Sequence, residues 1–226
     1  MISNKHCMEY GELLNKILEK FKKLYTEYVV NRILRSSDGA YFINLIKKGY
    51  EPHGLLLFLL VKAGFDLGII TLPEFKVAFK RPIDRCDLGL SCSKKRKPIK
   101  SVKADVVFHI TSQDIGIGEV ISGLLHYGFP SKELQKYYKE KLKRTVIEDE
   151  VTIRDKLLHL AKHNSEVKFF VLIIFIGKEE KRHLGRERRE WIKIWKEKTI
   201  DELSKIKPTK ALFIRGIEKT RFEIYP

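Results

Sequence analysis

Long apolar runs are what this sequence most plainly lacks. Its longest, GLLLFLLVKAG (54–64) and FFVLIIFIG (169–177), fall well short of the roughly 20 residues that a bilayer-spanning helix needs. The opening MISNKHCMEYGELLNK has no apolar core of a secretion signal. Cysteine is scarce too. Cys7, Cys86 and Cys92 are an odd set without a secretion signal, which argues for free thiols in a reducing compartment. Cys86 and Cys92 are too far apart for half of a zinc site. No Walker glycine loop is present, and GIGEV lacks the third glycine of a dinucleotide fingerprint. Nucleotide-driven work is therefore not expected. His159 and His163 lie four apart, but no Glu follows His159, so the zincin arrangement H-E-x-x-H is absent. These absences lead to the expectation of a soluble, intracellular, cytoplasmic protein with no membrane partner.

Positive charge is what the chain has in excess. Among 226 residues, 45 are Lys or Arg and 29 are Asp or Glu, a formal net charge of +16. Such an excess favours a polyanionic partner, above all nucleic acid. The run Lys94, Lys95, Arg96, Lys97 is a candidate set of phosphate contacts. Heavy use of Lys, Glu and Ile matches the composition of thermophilic proteins. The length suffices to bury a core without disulfides or metals.

Hydrophobic periodicity orders the chain. Residues 9–35 carry apolar residues at helical spacing, from Leu13 and Leu14 to Tyr28 and Val29. The stretch SSDG (36–39) stops that helix, and 40–48 reads as a second. Pro52 suits a helix start, and 54–64 is apolar all round, hence a buried helix ending near Gly64. From residue 69 the pattern changes, and IITLPEFKVAFKR (69–81), alternating from Glu74 on, predicts a first strand. Residues 81–101, with two prolines and the basic run, read as a loop. Strands follow at 104–110 and 115–121, then helices at 131–143 and 151–163. KFFVLIIFIG (168–177) is unbroken apolar sequence, the mark of a central strand buried on both faces. A charged amphipathic helix at 186–206 carries Trp191 and Trp195 as core or seam anchors, and two short strands close the chain. One mixed α/β domain over 1–226 results, with helices flanking a central sheet. It divides into an N-terminal helical extension (1–48) and an α/β core (49–226).

The chemistry concentrates in KADVVFHITSQDIGIGEVIS, residues 103–122. Two β-type runs each carry one acid, Asp105 and Glu119, separated by a short polar turn. Side chains alternate along a strand, so Asp105, Val107 and His109 are expected on one face and Ile117, Glu119 and Ile121 on one face. Adjacent strands then bring the two carboxylates together. Paired carboxylates make a site for a hard divalent cation. Such a cation polarises a phosphoryl oxygen and lowers the pKa of an attacking water.

This order of elements, helix, three strands, helix, strand, with acids on the second and third strands, resembles the PD-(D/E)xK nuclease superfamily, nearest its RecB-like and archaeal or viral members. Its half-motifs read Ala104-Asp105 and Glu119-Val120-Ile121. The resemblance covers roughly residues 50–215. It implies a restriction-endonuclease-like fold and a Mg²⁺- (or Mn²⁺-) dependent nuclease acting on duplex, single-stranded or branched DNA. A homodimer is the expected state if both strands are cut. The family's lysine falls at position 121, which is Ile121 here. Lys103, Lys136 and Lys139 are the candidates to replace it. An acid before the first strand often completes the family's metal site, which implies Glu51, with Glu74 as the runner-up. Gln135 and Tyr138 are similar to the Gln/Tyr helix motif of RecB-like members, at a spacing one residue shorter. The alternative expectation, carried by Ile121, is a catalytically inactive nuclease-like protein that binds nucleic acid.

Overall fold

The computed structural model describes residues 4–47, 52–83, 99–121, 153–176, 192–193, 195–217 and 219–226. A first helix, α1 (Asn4–Tyr25), passes directly into a π-helical segment, Thr26–Ile33. Helices α2 (Gly39–Lys47) and α3 (His53–Asp66) follow. The strands β1 (Ile70–Ile83), β2 (Ile99–His109) and β3 (Ile115–Ile121) come next. Helix α4 (Ile153–His163) precedes β4 (Val167–Ile176). A π-helical turn, Lys196–Ile200, leads into α5 (Asp201–Ser204), and β5 (Thr209–Arg215) and β6 (Arg221–Tyr225) end the chain.

The six strands form one mixed sheet in sequence order. β1, β2 and β3 are an antiparallel meander, β3, β4 and β5 run parallel, and β6 returns antiparallel. Each face of the sheet has its own core. On one, α1 and α3 lay Leu14, Leu18, Phe21, Leu56 and Leu60 against Val106, Phe169, Val171 and Ile173. On the other, α4 and the 195–204 segment lay Leu157, Leu160, Trp195 and Leu203 against Val107, Phe170, Leu172 and Phe213. β4 supplies both cores alternately, as its uninterrupted apolar sequence predicts. The stretch expected as an N-terminal extension thus contributes α1 directly to one covering layer.

Several boundaries differ from expectation, each for a physical reason. β1 begins at Ile70, within a residue of the expected start, and runs through Pro73. Among the described strands β1 pairs only with β2, and an edge strand tolerates the missing proline N–H. β1 reaches Ile83 and β2 starts at Ile99, so both strands extend into the 81–101 stretch read as a loop. Gly64 does not end α3. It lies inside the helix, where a Cβ would collide with the Thr71 hydroxyl and the Phe108 ring. The helix stops two residues later, and Gly68 takes the left-handed φ of 75° just beyond, the common glycine stop. Gly116 is likewise needed for close approach, since a side chain there would enter the Phe169 ring. The helix expected at 131–143 lies outside the described residues.

Candidate active site

β2 and β3 are in register with Val106 opposite Gly118 and Val107 opposite Ile117. The same register carried one residue further sets Asp105 across from Glu119. The regular ladder stops there, and side-chain bonds take over. An Asp105 carboxylate oxygen, Oδ2, accepts the Val120 N–H at 2.8 Å. His53, the first residue of α3, holds its Nε2 4.0 Å from that oxygen.

Strict alternation fails at this point. Ala104 packs with Val107 in the α4-side core, while Val106 and Phe108 pack on the α1/α3 side. The inward-outward phase therefore slips by one residue at Asp105. β1 slips in the same row: Thr71 lies against Gly64 of α3, but Val77 joins the α4-side core. Between them Glu74 has φ 51°, a left-handed conformation that costs a non-glycine residue on the order of 1–3 kcal/mol. The register is the same on both sides of the slip, with Pro73 opposite Val106 and Phe75 opposite Ala104. The expected common face of Asp105, Val107 and His109 is thereby corrected. Asp105 sits at the slip, where it meets α3 and β3, and His109 stacks edge-on to Phe75.

Glu119 is the buried member of the pair, 3% exposed. Its Oε1 accepts a hydrogen bond of 2.6 Å from Lys156 Nζ of α4, and the same ammonium donates to the Lys103 carbonyl at 3.2 Å. Burial pushes the Glu119 carboxyl up to about 7. The Lys156 charge opposes this, the Asp105 charge adds to it, and a hydrogen bond with the Asp105 backbone lowers it again. The Asp105 charge thus adds to the cost of ionising Glu119 beside Lys156, the electrostatic condition that a cation relieves.

The expected residues are distributed as follows. Asp105 and Glu119 come together. The Lys103 side chain does not join them: its ammonium lies 2.9 Å from Glu74, and both are more than half exposed. Glu74 is accordingly turned to Lys103. Ile121 is 2% exposed in the α4-side core, so the position of the family lysine is filled by packing. Glu51, Lys94, Lys95, Arg96, Lys97, Gln135, Lys136, Tyr138 and Lys139 lie outside the described residues.

Two residues that sequence reasoning passed over stand at the pair, Lys156 and His53. Lys156 carried a signal. It lies four residues before the buried Leu160 on a predicted helix, so the helical period turns a lysine towards the sheet. Among the described residues no group of three or more His, Cys, Asp or Glu side chains forms a metal cage. Nor is any helix among them long and apolar enough to cross a membrane. The class that the structure defines is a three-layer α/β protein with a six-stranded mixed sheet between helices. No protein-family model, curated protein or solved structure matches the chain.

Proposed function

We propose that the protein is a metal-dependent nuclease of PD-(D/E)xK type, with a restriction-endonuclease-like core, that hydrolyses DNA phosphodiester bonds. The observation that carries this reading is the Asp105–Glu119 pair with Lys156 bound to Glu119. It comprises two acids and a lysine on the second strand, the third strand and a flanking helix of a meander that continues into a parallel strand. The lysine missing at position 121 is supplied from α4.

The donor set fits Mg²⁺ or Mn²⁺. Two carboxylates, one of them buried and repelled by the other, offer oxygen ligands and leave the remaining positions to water and phosphate, as Mg²⁺ prefers. Asp105 and Glu119 would hold the ion, with the His53 imidazole beside Asp105. When bound, the ion supplies positive charge to the phosphoryl oxygen and acidifies a water. The residues of the chain do the rest. The Val120 amide fixes the Asp105 carboxylate, so its orientation is set before any ligand arrives. The Lys156 ammonium has three donors. Glu119 and the Lys103 carbonyl take two, leaving one to orient the attacking water or meet a phosphate oxygen.

The test is cleavage of labelled linear, single-stranded and four-way-junction DNA with Mg²⁺, Mn²⁺ or EDTA. Asp105→Asn and Glu119→Gln are expected to lose cutting by at least about a hundredfold, the scale of a lost charge stabiliser, with DNA binding in EDTA retained. The second reading is a catalytically inactive nucleic-acid-binding protein, favoured by the packed Ile121. Binding without cutting by wild type under either metal establishes it and overturns the nuclease.

A further inference from the structure

β2 pairs with β3 only over Val106–His109, yet it pairs with β1 from His109 back to Ile99. Residues 75–83 and 99–104 therefore form a two-stranded ribbon that runs on beyond the β2–β3 ladder. The ribbon is braced from one side. Val77, Val102 and Ala104 pack with the α4-side core, the buried Asn164 amide donates to the Ala78 carbonyl at 2.9 Å, and Lys156 holds the Lys103 carbonyl. Its composition is one-sided: FKVAFKRPI and IKSVKA carry Lys76, Lys80, Arg81, Lys100 and Lys103 and no acid.

Lys76, Lys80, Lys100 and Lys103 are exposed. Lys80 and Lys103 are each drawn to an exposed acid, Glu166 and Glu74. Lys76 and Lys100 have no ion pair among the described residues. Lys76 stands directly opposite Lys103, and like charges facing each other across a ladder destabilise a sheet. That row gains from an anion laid over it. The ribbon also ends at the candidate site, since Ala104 is followed by Asp105.

We infer that this ribbon is an arm that holds duplex DNA, with the phosphate backbone along the outward row of Lys76 and Lys103, and leads it to the carboxylate pair. The inference rests on the nuclease reading for the direction of the DNA, and on the ribbon alone for its binding. A duplex is favoured over a single strand for two reasons. A two-stranded ribbon fits a DNA groove. Single-strand binding relies on aromatic platforms for the bases, whereas the outward row Lys76, Ala78, Ser101 and Lys103 has none, and the exposed Phe75 lies on the other face, edge-on to His109.

Binding of a fluorescent duplex and the matching single strand is measured by anisotropy in EDTA across a salt series. The proteins are wild type, Lys76→Ala/Lys103→Ala, and Lys16→Ala/Lys23→Ala on α1 as the control. The ribbon variant is expected to bind the duplex roughly tenfold more weakly, with the slope of log K against log salt reduced by about 2, near 0.9 for each phosphate no longer neutralised. The control keeps the wild-type affinity and slope. Unchanged affinity and slope in the ribbon variant overturn the arm, as does an equal weakening in the control. Lysine-dependent binding that is tighter for the single strand overturns the duplex assignment. Cleavage in Mg²⁺ is scored separately, so a dead nuclease with lysine-dependent binding leaves the arm standing, and an active nuclease with no ribbon effect removes it.

Discussion

Lys156 is the residue on which the chemistry turns. Its side chain is 12% exposed and that of Glu119 is 4% exposed, so the pair is shielded from water. Removing one partner of such a pair leaves the other charge uncompensated. Lys156→Met is expected to reduce kcat by about 10²–10³-fold, the range for loss of a donor that stabilises charge in the transition state, with duplex affinity in EDTA unchanged. The destabilisation stays moderate, because Glu119 takes up a proton near pH 7 instead of remaining as a bare buried charge. Lys156→Arg keeps the charge and restores part of the rate. A Met variant with full kcat, measured under saturating DNA, refutes the role. At this scale the two acids were legible in the sequence because they interrupt apolar strands. The lysine was not, because the residues between 121 and 153 offered nearer candidates, Lys136 and Lys139. Which helix returns over Glu119 is a matter of packing that no spacing reveals.

Among the elements, the junction of α1 with its π-helical continuation rests on Tyr25. The ring is 1% exposed and meets Phe222 of β6 edge-on at 5.6 Å. Burial pushes its phenol up to about 12 from an ordinary value of 10.0, while a hydrogen bond with Thr220 opposes the shift. The neutral form is therefore favoured in the folded state. Its contribution is complete below the unfolded value and is lost as pH rises from about 10 through 12. Urea midpoints of wild type and Tyr25→Phe are expected to keep a constant difference up to about pH 10, after which wild type falls relative to the variant. Parallel curves through pH 12 contradict the burial argument. Most strands and helices were readable from periodicity. The phase slip of β1 at Glu74 was not, because it depends on a left-handed backbone at a residue whose type does not call for one.

At the scale of the whole molecule, β4 joins the two cores, with Phe170, Leu172 and Ile174 on one side and Phe169, Val171 and Ile173 on the other. Damage to one layer should reach the other. Phe170→Ala is expected to cost about 3–5 kcal/mol, the range for removing a buried phenylalanine. Tryptophan fluorescence, to which Trp191 and the buried Trp195 both contribute, and far-UV circular dichroism, dominated by the helices, should shift together in one cooperative transition. Separate midpoints for the two probes show that the layers unfold independently and remove this prediction.

The order of helices and strands, the doubly buried β4, the net charge and the two acids follow from the sequence itself, because they depend on local periodicity and composition. Tertiary structure decided what those acids meet. It brought Lys156 and His53 to them from different elements, turned Lys103 outward to Glu74, packed Ile121 into the core, and freed one basic ribbon from the ladder. Each of these depends on which layers cover the sheet and where the strand phase slips. Long-range packing sets both, and residue spacing carries no record of it.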